Sequence, residues 1–116
     1  MNDLDHAIRE FTPINGDWRP LEALLERAFN SPNPKEYYHA IFNLFERFPE
    51  DDGAGVFWSA VHGMESVGDY EKHLLSYFRR WPNLMNKLML RRIYNSGQKE
   101  IMNFPIERLI EINEKK

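Results

Sequence analysis

The chain has 116 residues, of which 42% are hydrophobic and 14% aromatic, enough to pack one interior and too few for two. It lacks cysteine, which excludes a disulfide framework and a thiolate-bound metal, and its net charge of −3 argues against a general affinity for nucleic-acid phosphates. No window approaches the roughly 20 apolar residues of a membrane span, and the acidic start Met1-Asn2-Asp3-Leu4-Asp5 has no basic-then-apolar leader pattern, so one cytoplasmic domain covering 1–116 is expected.

In chain order, Asp3 to Phe11 reads as a short first helix that Thr12-Pro13-Ile14-Asn15-Gly16 breaks. Asp17 is a good N-cap for a helix over about 17–30, with Trp18, Leu21, Leu25, Ala28 and Phe29 on one stripe. The prolines of Asn30-Ser31-Pro32-Asn33-Pro34 end it, and Asn33, Pro34 and Glu36 have the spacing of a capping box that opens a helix over about 34–48. That helix is apolar around more than half its circumference, which requires neighbours on most sides.

After the polar turn Phe48-Pro49-Glu50-Asp51-Asp52-Gly53, a helix over about 53–66 places Phe57, Ala60, Val61 and Met64 on a core stripe. Trp58, His62 and Glu65 share an adjoining face, serving either as local packing or as a recognition strip. Gly63 weakens this helix by close to 1 kcal/mol relative to alanine, which points to an early helix end or to another backbone packed against it. Asp69 is then expected to cap a helix over about 69–81 with Tyr70, Leu74, Leu75, Tyr77, Phe78 and Trp81 inward. Asn83 caps the next, to about 95, which Ser96-Gly97 stops. Residues 98–103 add a turn, and Phe104-Pro105 opens a last helix with Ile106, Leu109, Ile110 and Ile112 on one side and Lys115-Lys116 on its dipole.

Sliding the chain past itself by 33 residues lays Tyr37, Ile41, Phe45, Arg47, Phe48 and Pro49 over Tyr70, Leu74, Phe78, Arg80, Trp81 and Pro82. Units of about 34–66 and 69–97 then form stacked antiparallel helical hairpins flanked by capping helices, unless the likeness is only that of two amphipathic helices ending in proline. The expected fold is all-α, about six helices in a bundle or a short HEAT-like solenoid.

Little chemistry is encoded. His62-Gly63-Met64-Glu65 is half of a metal motif, and Ser59, three residues before His62, would sit on a regular helix without the sharp turn that nucleophilic serines use. No Gly-rich phosphate loop is present. Neither catalysis, a cofactor nor a metal site is therefore expected. Charge is segregated instead, with Glu46, Glu50, Asp51 and Asp52 before the central helix and Arg79, Arg80, Lys87, Arg91 and Arg92 after it. Some of these arginines are expected to pair with Glu65, Asp69 and Glu71.

The run Phe57-Trp58-Ser59-Ala60-Val61-His62-Gly63-Met64-Glu65-Ser66, continued by Tyr70-Glu71, Leu74-Leu75-Ser76-Tyr77 and Arg79-Arg80-Trp81-Pro82, resembles the core of a group of small bacterial immunity proteins. These are encoded beside polymorphic toxins, including those of contact-dependent inhibition systems. The resemblance covers about residues 54–97. It implies a non-enzymatic cytosolic inhibitor that binds one cognate toxin domain and blocks its active site or substrate access, with no nucleic acid, membrane or small-molecule partner. Toxin domains of this kind are often nucleases with basic grooves, toward which an acidic face is steered. The residues offered to such a partner are Glu46, Glu50, Asp51, Asp52, Glu65 and Asp69 as the acidic face, with Trp58, His62 and Tyr70 as anchors. A helical adaptor in another bacterial assembly is the alternative.

Overall fold

The computed structural model describes residues 2–114, with the side chains of 112–114 outside the description. Among the described residues, seven α-helices and one two-stranded hairpin fill an envelope of 37 × 32 × 23 Å. The helices are α1 (Asp3–Glu10), α2 (Arg19–Phe29), α3 (Tyr38–Arg47), α4 (Val56–Val67), α5 (Glu71–Arg80), α6 (Leu84–Asn95) and α7 (Ile106–Glu114). The fold is all-α, as the periodicity required. Helix α3 lies at its centre, packed against α1, α4, α5 and α6, and for that reason Tyr38, Ala40, Ile41, Phe42, Leu44 and Phe45 are all buried.

Several helix starts differ from expectation, each for a local reason. Asn2 caps α1 by accepting from the Asp5 amide. Asp17 accepts from the Arg19 amide one residue ahead of the helical cap position, and a turn through left-handed Asn15 and Gly16 brings it there. The Asn33 capping box does not form: Pro34–Tyr37 is a 3₁₀ turn, and Glu36 accepts instead from the Asn2 side chain. Helix α4 begins at Val56 because Gly53, Ala54 and Gly55 are three successive left-handed residues. Asp69 does not cap α5, since it too is left-handed and its carboxylate pairs with Lys35. Asn83 does cap α6, in a reciprocal box with buried Asn86.

The core stripe of α4 holds, with Phe57, Ala60, Val61 and Met64 all buried. Gly63 neither ends that helix nor meets a backbone; the space its missing Cβ leaves is taken by the Phe29 ring of α2. Residues 98–105 form a hairpin in which β1 (Glu100–Ile101) pairs with β2 (Phe104–Pro105) across left-handed Met102 and Asn103. Ile106 is buried and Leu109 and Ile110 are half-buried, whereas the expectations for Ile112 and Lys115-Lys116 fall outside the described side chains.

The largest departure concerns Trp81. Expected inward, it is 59% exposed. It follows the last turn of α5 and precedes Pro82, so its backbone is extended (φ −154°, ψ 84°) and its side chain leaves the direction that helical spacing extrapolates.

Candidate partner-binding surface

The recognition strip on α4 is built by helical geometry alone. Trp58, His62 and Glu65 lie on one side of the helix, with the Trp58 and His62 rings 6.0 Å apart and His62 Nδ1 3.6 Å from Glu65 Oε1. His62 is exposed, while Trp58 and Glu65 are half-buried. Arg92 of α6 completes the cluster. Its guanidinium grips both Glu65 oxygens at 2.8 Å and lies 5.6 Å from the Trp58 ring. The Arg92 hydrogen bonds hold the Glu65 carboxyl below its ordinary titration range against the opposing effect of burial. Tyr70 stands across a notch of about 520 Å³ whose other walls include Glu65, Arg92, Asn95 and Ser96. Burial, then the nearby Glu65 charge, pushes its phenol above the usual value.

The acidic residues do not form one face with a common state. Glu46 accepts two hydrogen bonds from Arg80 Nη2, at 2.8 and 2.9 Å, and one from its Nε, so its charge is matched within the fold. Asp69 is paired with Lys35. Asp51 holds the loop through its Oδ1, which accepts from the Gly53 amide at 2.9 Å. Glu50 and Asp52 have no cationic partner among the described residues. Their loop is nonetheless fixed. The Asp52 carbonyl accepts from the Gly55 and Phe57 amides, and Gly53 is buried where a Cβ would meet Phe57 at 2.9 Å and Trp18 at 3.2 Å.

The expected pairing of the basic cluster with acids occurs at Arg92–Glu65 and, in addition, at Arg80–Glu46; Glu71 accepts from Gln98 instead. Ser59 donates to Glu22 of α2 at 2.8 Å and does not face His62. Among the described residues, no three His, Asp or Glu side chains converge as metal ligands, and no helix is long and apolar enough to cross a membrane. Residue spacing misplaced Trp81, which lies exposed beside Glu46 and Arg80, because a pre-proline residue one step beyond a helix carries no periodic signal. A proline following the last aromatic of the stripe was the available clue. No protein-family model, curated protein or solved structure matches the chain.

Proposed function

We propose that the chain is an immunity protein that binds a cognate bacterial toxin domain and covers its active site or substrate path. The observation that carries this reading is the loop between α3 and α4. It presents Glu50 and Asp52 on a rigid backbone with no cation of the same chain, among the described residues, to neutralise them. Like charges on one fixed turn repel each other, and a basic partner reverses the sign of that cost. The surface position of His62 beside half-buried Trp58 supplies a second feature of the same kind.

Co-expression with the toxin domain encoded by the adjacent reading frame tests the proposal. The wild-type chain restores growth, and Glu50→Lys with Asp52→Lys abolishes the rescue without changing the unfolding midpoint. These two positions are better chosen than Asp51, whose carboxylate also holds the turn. Failure of the wild-type chain to rescue, with the complex absent on gel filtration, leaves the adaptor reading in its place.

A further inference from the structure

The 33-residue offset is exact at the level of structure: α3 and α5 each span ten residues, Tyr38–Arg47 and Glu71–Arg80. Each closes the same way. The Phe48 amide donates to the Leu44 carbonyl at 3.0 Å and the Trp81 amide to the Tyr77 carbonyl at 2.8 Å, before both chains extend into a proline. The two terminal aromatics then meet different fates. Trp18 stands edge-on to the Phe48 ring at 5.0 Å, and the Arg47 guanidinium lies 5.0 Å from that ring's centre. Trp81 has no ring or cation contact among the described residues, because its own arginine, Arg80, is drawn onto Glu46 and the Tyr77 ring.

The exposed indole sits on a fixed backbone. The Trp81 carbonyl accepts from the side-chain amides of Asn83 and Asn86, both buried, at 3.3 Å. With the backbone already ordered, only the two side-chain torsions of the indole remain to be fixed on binding, and tryptophan is among the residues that carry interface energy most often. Beside it Glu46 and Arg80 neutralise each other, and the unmatched negative charge comes from the loop bearing Glu50 and Asp52, which is tied to the start of α6 by the Leu84 amide donating to the Pro49 carbonyl at 2.8 Å.

We infer that Trp81 is the principal anchor of the partner interface. It inserts into a basic protein surface that supplies in trans the aromatic edge and the cation that Trp18 and Arg47 supply to Phe48, while Glu50 and Asp52 meet basic residues at its rim. This rests on the immunity reading, and it moves the anchor from Trp58, which Arg92 already covers, to the far end of α5. The indole is the right element for such a clamp, having the strongest cation attraction of the aromatic side chains.

Calorimetry with the purified toxin domain encoded beside the chain is the test, run on wild type, Trp81→Ala, Trp81→Phe and Trp58→Ala. Trp81→Ala weakens binding at least 100-fold with an unchanged urea midpoint, Trp81→Phe recovers part of the loss, and Trp58→Ala costs under 10-fold. Tight wild-type binding that Trp81→Ala leaves within threefold overturns the anchor and spares the immunity reading. Absence of wild-type binding and rescue overturns both. A Trp81→Ala effect confined to self-association of the isolated chain in sedimentation assigns the surface to a second copy and overturns the inference.

Discussion

Replacing Gly63 by alanine sets two effects of known size against each other. In the middle of a helix the substitution ordinarily stabilises by about 1 kcal/mol, because glycine has more backbone freedom to lose. Here the new methyl would lie 2.5 Å from Cε2 and Cζ of Phe29 and 2.7 Å from its Cδ2. Carbon atoms prefer about 3.5–4.0 Å, so the ring must retreat by about 1 Å, and overpacking of that order costs about 1–3 kcal/mol. The expected result is net destabilisation of up to about 2 kcal/mol, rather than a gain. Removing the obstacle reverses the sign: in a Phe29→Ala background, Gly63→Ala stabilises by about 1 kcal/mol. Urea unfolding of the four proteins, followed by far-UV circular dichroism, yields a coupling energy of about 1–3 kcal/mol. Stabilisation by the same amount in both backgrounds would show that Phe29 does not occupy this space and that Gly63 is merely a weak helical residue.

Trp18→Ala removes the ring that touches Phe11, Phe48 and Phe57 and is expected to cost about 3–5 kcal/mol in chemical denaturation. Ala54→Gly relieves a left-handed alanine (φ 52°) and stabilises by about 0.5–1 kcal/mol after the greater freedom of unfolded glycine is set against it, again read from urea midpoints. His73 is half-buried beside His39 and Lys72, with Tyr38 against its ring; burial first, then electrostatic repulsion from those two neighbours, lowers its imidazole pKa. The folded state therefore binds its proton less readily than the unfolded state, so stability is complete above about pH 6.5 and declines as the pH falls toward the lower folded value. His73→Asn flattens that slope in pH-dependent urea titrations. Arg92→Ala removes the hydrogen bonds that depress the Glu65 carboxyl and moves its NMR titration midpoint upward, at a stability cost of only about 0.5–1 kcal/mol because the pair is partly exposed.

Much of the fold was legible because burial follows helical spacing wherever a helix is continuous. The Phe57, Ala60, Val61 and Met64 stripe and the Asn83 cap needed nothing beyond local order. Sequence spacing failed where backbone conformation changes hand. Asp69 and the Gly53-Ala54-Gly55 turn are left-handed, so a residue type suited to capping does not cap and a helix starts three residues late. The 98–105 hairpin escaped because Met102-Asn103 is not one of the dipeptides that ordinarily favour two-residue turns. The candidate surface was legible in residue type but not in state. Whether a carboxylate is spent internally depends on partners far along the chain, as with Lys35 and Asp69 or Glu46 and Arg80, and spacing along one helix cannot reveal them.

The segments that join α3 to α4 and α5 to α6 differ in length. Between α5 and α6 the chain crosses in three residues, 81–83, whereas α3 and α4 are separated by eight, 48–55. Gly53 seats the longer segment over Trp18 and Phe57, so positions 50 and 52 can be rewritten without loss of the fold provided a glycine stays at 53. The exposed charge of that loop and the residue that fixes its backbone are separate, so one can drift while the other stands still.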